Sequence, residues 1–305
     1  MTDKENEYIM KSMNNVTQMQ KPADSKPPIV MQEVPSMPAL LGKAAFKSGH
    51  YAPGDQLPGL STQINSLVIN REHLHAYQQL CGFKSSESLP ATYLHMLGFP
   101  LFLKILIQQD FPMRAMGQVH LRNQISVHHQ FDIRQPIDMT AAIGNSVLTS
   151  RGLEWNIDVS ASVDNQVVWT GESVFLHRCK TGLPRETVTP VRRDGEPQHW
   201  TVDADTGRRY ARVSGDYNPI HLTDITARLF GFKQAIVHGM WSKARCLAAL
   251  GQQVPDEGYS VDVTFYRPLF LPSQVLFYSQ QLENKQQFAL FNQTAEQAHL
   301  EGFIT

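Results

Sequence analysis

The sequence predicts an α+β protein made of two similar units in tandem, and three observations predict it. At 305 residues the chain exceeds the ~100–200 residues of an ordinary domain. A helix-like apolar run followed by segments of alternating polarity occurs between Tyr51 and Arg178, and the same order returns after His199. Between the two lies a cluster of Gly, Pro and charged residues, from Lys180-Thr181-Gly182-Leu183-Pro184 to Gly195-Glu196-Pro197, the composition of a linker.

The first fifty residues are polar and rich in Met, Gln and Asn, then pass through Lys26-Pro27-Pro28 and Val34-Pro35-Ser36-Met37-Pro38. No period of 3.6 or 2 is sustained, so residues 1–50 are expected to be a flexible or loosely docked arm. The first unit, 51–180, opens with a short strand (Gln63 to Ile69) and a helix (Arg71 to Leu80). A longer helix follows over Ala91 to Gln109; Phe99, Leu101, Phe102, Ile105 and Leu106 suit packing against a sheet while Lys104 snorkels. Alternation over Gln118 to Val127, Leu153 to Val163 and Val167 to His177 then predicts half-buried antiparallel strands.

Residues 181–198 are the expected linker and 199–305 the second unit. It has a lead-in from His199 to Val213, a loop and short helix from Gly215 to Phe230, and a helix from about Gly239 to Leu250. Strands are expected over Tyr259 to Tyr266, Gln274 to Leu282, Phe288 to Ala295 and Ala298 to Ile304.

Composition narrows the function. Lys+Arg 27 against Asp+Glu 28 leaves no global field to attract nucleic acid or an acidic membrane. The apolar run Leu94 to Ile107 is interrupted by His95, Pro100 and Lys104 and is shorter than the ~20 residues that span a bilayer. Cys81, Cys179 and Cys246 are far apart and form no Cys-x-x-Cys, which suits free thiols in a reducing cytoplasm. The amino terminus lacks the apolar core of a signal peptide, so a soluble cytoplasmic protein is expected.

Chemistry concentrates in Ser214-Gly215-Asp216-Tyr217-Asn218-Pro219-Ile220-His221. Asn218 is biased away from the helical region by the following proline, and Pro219 has a fixed φ and no donor, so the segment is a bent loop. Ser214 and Gly215 read as turn-formers. Asp216 and His221 can therefore converge on one water, one taking a proton as the water attacks and the other giving a proton to carbon, or the reverse. Leu222 to Phe232 reads as a short helix, capped by Thr223 or Asp224 and stopped by Gly231, that clamps the loop.

A second element, Ile236-Val237-His238-Gly239, leads directly into the Gly239 helix. An amide at that helix start is unpaired and lies in a positive field, where it can hold a thioester oxygen as an enolate develops. His238 either touches substrate or satisfies backbone groups. Such chemistry requires neither metal nor organic cofactor. The pairs His73/His75 and His128-His129 form no preformed chelate.

Ser214-Gly215-Asp216-x-Asn218-Pro219-x-His221, followed eighteen residues after Asn218 by Ile236-Val237-His238-Gly239, resembles the signature of the MaoC-like (R)-specific enoyl-CoA hydratases and acyl dehydratases of the hot-dog fold. The resemblance is strong over about 200 to 275. It implies that Asp216 and His221 are the catalytic pair, that Asn218 supports the loop and that Gly239 supplies the oxyanion-hole amide. It also implies a double hot-dog chain, each unit a long antiparallel sheet wrapped around a central helix, with a catalytic loop only in the second. Leu89 to His95 matches the lead-in to a central helix, but no Asp-x-Asn-Pro-x-His precedes it. A silent first unit would widen the tunnel for a bulkier acyl chain.

The expected reaction is syn addition of water to a trans-2-enoyl thioester giving the (3R)-hydroxyacyl product, or its reverse. The carrier is coenzyme A or an acyl carrier protein; a homodimer is a possible assembly. Arg267, after the Tyr259 to Tyr266 strand, is a phosphate-contact candidate by position alone. The competing readings are a hot-dog thioesterase and a non-catalytic acyl-thioester binder or scaffold.

Overall fold

The computed structural model describes residues 19–84, 89–184, 191 and 193–305. Residues 1–18 of the expected arm and residues 185–190 and 192 of the expected linker lie outside the described residues.

The first unit contains β2 (Ser61–Leu67), β3 (Val119–Val127), β4 (Ile137–Thr149), β5 (Gly152–Val163) and β6 (Gln166–His177). The second contains β7 (Gln198–Val202), β8 (Tyr259–Phe265), β9 (Ser273–Leu282), β10 (Lys285–Asn292) and β11 (Ala298–Ile304). With β1 (Ile29–Met31) they form one 11-stranded sheet in the order β1-β2-β4-β5-β6-β3-β8-β11-β10-β9-β7. Each unit thus orders its own strands first, third, fourth, fifth, second, which is the topological mark of a duplication. The units join edge to edge where β3 pairs antiparallel with β8, Asn123 opposite Val263. Neither inner edge is left with unpaired amides.

A central helical segment lies on each half. In the second unit it is α7 (Gly239–Leu250), with Met240, Trp241, Ala244, Cys246, Leu247 and Leu250 buried. In the first unit the expected helix from Ala91 to Gln109 is two shorter helices, α3 (Ala91–Leu97) and α4 (Phe99–Leu106). Pro100 explains the break, because it has no N–H to return to the carbonyl four residues earlier. Trp169 closes the start of α3 by donating Nε1–H to the Ala91 carbonyl at 2.9 Å. Each central helix is preceded in sequence by another helix: α2 (Arg71–Cys81) in the first unit and α5 (Thr206–Ser214) in the second. These two pack on one another, Tyr77 and Tyr210 lying with ring centroids 6.2 Å apart.

Lys243, on α7, is fully buried under the seam between the halves. Its Nζ donates to the Asn123 carbonyl (2.9 Å), Asn123 Oδ1 (2.6 Å) and the Val261 carbonyl (3.1 Å). All three ammonium donors find acceptors, the condition on which such a group is tolerated away from water.

Two features go beyond the sequence reading. The described part of the 1–50 arm is docked: β1 pairs in parallel with β2, and α1 (Met37–Phe46) buries Leu40 and Ala44 beside α4. Pro38 at the start of α1 supplies the preset φ that its weak periodicity did not advertise. The strand β4 was not foreseen. Its inward face, Ile137, Met139, Ala141 and Ile143, alternates with Asp138, Thr140, Ala142 and Gly144. Ala, Gly and Asn are poor strand formers, and a register shift between Ile143 and Ser146 breaks the period. Among the described residues, no helix is long and apolar enough to cross a membrane.

Candidate active site

α5 ends at Gly215, whose φ of 74° and ψ of 0° put it in the left-handed region that glycine enters at least cost. Its N–H returns to the Ala211 carbonyl at 2.9 Å. The loop then folds on its own side chains. The amide of Asp216 donates to Ser214 Oγ at 3.2 Å, and that of Asn218 donates to Asp216 Oδ1 at 3.1 Å. Asn218 caps a 3-10 turn, Pro219–His221, its Oδ1 accepting from Ile220 at 3.5 Å. Behind the turn, α6 (Asp224–Arg228) starts with a reciprocal capping box between Thr223 and Thr226, and Thr226 Oγ1 donates to the Pro219 carbonyl at 2.6 Å. These local bonds explain why this segment was readable from sequence.

His221 is buried, and its Nδ1 lies 2.8 Å from the Ile236 carbonyl. A carbonyl can only accept, so Nδ1 carries the proton and Nε2 presents its lone pair in the neutral ring. His238 is buried in the same way; its Nε2–H donates to the Asp216 backbone carbonyl at 2.9 Å and stands 3.7 Å from Asp216 Oδ2. One carboxylate oxygen of Asp216 and one ring nitrogen each of His221 and His238 fall within 4.8 Å of one another. Sequence-adjacent and sequence-distant groups thus meet at a single point.

Burial sets the charge states. It pushes the Asp216 carboxyl above the ordinary carboxylate range, against the opposing pull of His221 and the Asn218 amide. It pushes His221 below the ordinary imidazole value, although Asp216 and the Ile236 carbonyl favour the cation. His238 is held well below it, by burial first and by the neighbouring His221 second. At neutral pH both rings are uncharged bases beside a carboxyl group whose proton affinity is enhanced. Asp216, His221 and His238 have the spacing of a metal cluster, but the Nε2–H of His238 is committed to a carbonyl. Its other ring nitrogen, Nδ1, is buried without a hydrogen-bond partner.

Gly239 is the first residue of α7, and no side chain caps that terminus. Its N–H is one of the donors a helix start leaves unpaired. A Cβ there would come 3.1 Å from the Phe265 ring, so that ring packs closely against Gly239. Arg267 is exposed; its described hydrogen bonds are backbone contacts with His299, and none joins it to the Asp216–His221 pair.

The structure adds supporting residues that the sequence reading missed. A Cβ on Gly207 would stand 2.2 Å from the His221 carbonyl oxygen, so only glycine lets the start of α5 lie against the loop. Met37 of α1 covers Gly215, where a Cβ would meet its Cγ at 2.9 Å. The first unit carries a counterpart of the motif: Tyr77, Cys81 and a left-handed Gly82 (φ 80°) occupy the places of Tyr210, Ser214 and Gly215. Phe83 stands where Asp216 does.

Comparison with known proteins identifies the family. Residues 187–302 match the family described as MaoC like domain. The 3-hydroxyacyl-thioester dehydratase X of Mycobacterium tuberculosis is 33% identical over 260 residues, covering 82% of this chain and 90% of that protein. The chain belongs to the MaoC-like dehydratase family. Among MaoC-like proteins, the crystal structure of HtdX from Mycobacterium tuberculosis superposes with a TM-score of 0.71 at 28% identity, covering 80% of this chain and 98% of that one. A shorter match, 35% identical over 69 residues, links 22% of this MaoC-like chain to 52% of the (R)-specific enoyl-CoA hydratase of Aeromonas caviae.

Proposed function

We propose that this protein reversibly hydrates trans-2-enoyl thioesters to (3R)-hydroxyacyl thioesters, with Asp216 and His221 as the acid/base pair and the Gly239 amide as the oxyanion donor. The reading rests on one observation above others: a carboxylate oxygen and an imidazole nitrogen converge within 4.8 Å at the open end of a helix. The dehydratase and hydratase named above support the reaction class.

In this reading the thioester oxygen accepts the Gly239 N–H, which lowers the energy of the enolate formed at Cα. A water lies between Asp216 and the free Nε2 of His221. Its oxygen adds to Cβ as one of its protons passes to the pair, and the pair returns one proton to Cα. Atoms balance as the addition of one water. His238 and the Ile236 carbonyl position the pair and do not touch the reacting atoms. The first unit, with Phe83 in place of the acid, contributes walls for the acyl chain and no second site.

The test is a purified-protein assay on crotonyl- and longer trans-2-enoyl-CoA. Loss of the conjugated-thioester absorbance without release of free thiol is the expected result, with chiral analysis giving the 3R alcohol. Release of free thiol would replace the proposal with a thioesterase, and no change in either signal would replace it with a binder.

A further inference from the structure

Beside α5 and α7 is an open cavity of about 400 Å³ whose lining includes none of the loop residues 214–221. Its walls include Trp200, Thr201 and Asp203 from β7 and its exit, Arg209 of α5, and Trp241 and Arg245 of α7. Arg245 is half-buried there. Its guanidinium lies 4.4 Å from the centroid of Trp200, a ring that also stacks on Phe277 at 4.6 Å. Gly82 covers the guanidinium as well: a Cβ on Gly82 would be 3.4 Å from Cζ, Nε and Nη1 alike, the distance pattern of an atom over the plane. The planar cation is thus held by Trp200 and Gly82.

What it lacks is a partner in its plane. Among the described residues no hydrogen bond or ion pair is made by the Arg245 guanidinium. Asp203, the acid in the cavity wall, pairs with Arg209 at 3.6 Å instead. A guanidinium fixed over an aromatic ring with free N–H edges is preorganised for a two-oxygen anion, and the cavity is of the size that takes a small molecule. We infer that this cavity is a binding site for a nucleotide-sized phosphate ligand, with Arg245 as the phosphate fork. The ligand is either the ADP end of a coenzyme A thioester or a free nucleotide; the first source rests on the hydratase reading above, the second does not.

Titration calorimetry of the full chain with ADP and with inorganic pyrophosphate tests the site, using Arg245→Gln and Arg245→Lys alongside wild type. Binding to wild type and a loss of about 10- to 100-fold in Arg245→Gln is expected, the scale of one charge-assisted hydrogen-bonded contact. Arg245→Lys, which keeps the charge but not the fork, should also bind more weakly than wild type. Absence of binding, or equal affinity in wild type and Arg245→Gln variants of unchanged melting temperature, overturns the site. A raised KM of Arg245→Gln for enoyl-CoA but not for the same enoyl group on pantetheine, which has no nucleotide, identifies the coenzyme as the source. Weakened ADP binding with KM unchanged identifies the free nucleotide. Turnover of the enoyl-pantetheine by wild type reports on the hydratase reading independently.

Discussion

The imidazoles of His221 and His238 stack with ring centroids 3.6 Å apart and planes 27° from parallel. Two imidazolium ions cannot share that geometry without strong repulsion, which adds to burial in keeping His238 neutral, while the Nε2–H of His238 holds the Asp216 carbonyl. Replacing His238 by Phe keeps a ring over His221 and removes the donor. The expected result is a kcat lower by about tenfold, the scale of one lost hydrogen bond to the loop, with KM for enoyl-CoA little changed. An unaltered kcat would show that the loop holds its shape without this bond.

Asp216→Asn separates chemistry from structure. Asn keeps the Oδ1 that accepts from the Asn218 amide, but it cannot exchange a proton. Hydration of enoyl-CoA should fall on the order of 100-fold or more. Because burial disfavours the charged carboxyl, the melting temperature should stay level or rise. Activity near wild type would remove Asp216 from the mechanism; a lower melting temperature would assign it a structural part.

The loop was legible because its determinants are local. Asp216, Asn218 and Ser214 bond to one another across two residues. Contacts that join distant segments had no such signal. His73 was dismissed as a ligand, yet its Nε2 reaches the Val213 carbonyl at 2.7 Å and ties α2 to the end of α5. Lys243 sits 120 residues from Asn123 in sequence, and nothing in the spacing of either announces the pair. Met37 falls in the flexible or loosely docked arm of the sequence reading because its helix owes its place to α4, not to its own periodicity.

Gly207→Ala tests one such contact. The added methyl would lie 2.2 Å from the His221 carbonyl oxygen, and a backbone atom cannot rotate out of the way. The loop must shift, and displacements of about 1 Å cost roughly 100-fold in well-positioned acid/base sites. Turnover of enoyl-CoA should drop on that scale in a chain that still gives a cooperative melt. Retained activity would mean that α5 can slide without moving His221.

Lys243→Met should weaken the seam. It leaves Asn123 Oδ1 and the carbonyls of Asn123 and Val261 without their buried donor. A loss of about 1–3 kcal/mol in urea unfolding is expected. A double-mutant cycle with Asn123→Ala isolates the pair, since groups in one hydrogen-bond network are coupled. Strictly additive effects would place the stabilisation elsewhere.

Buried histidines give stability a definite pH slope. His95, His120, His177, His221, His238 and His299 all have pKa values lowered, chiefly by burial, and His120 is pushed down to about 3 from the ordinary 6.5. Below the ordinary value the unfolded chain binds protons that the folded chain refuses, so stability is greatest above it and is lost as pH falls. The carboxyls of Asp158, Glu172 and Asp216 are raised by burial and act in the opposite sense, as pH falls through their raised folded values. Six groups oppose three, and in the window just below 6.5 the histidines act first. The urea midpoint should therefore decline between about pH 7 and pH 5. A midpoint that stays level or rises across that interval would mean that these rings accept protons in the folded state, and with that the neutral His221 on which the acid/base reading depends would be lost.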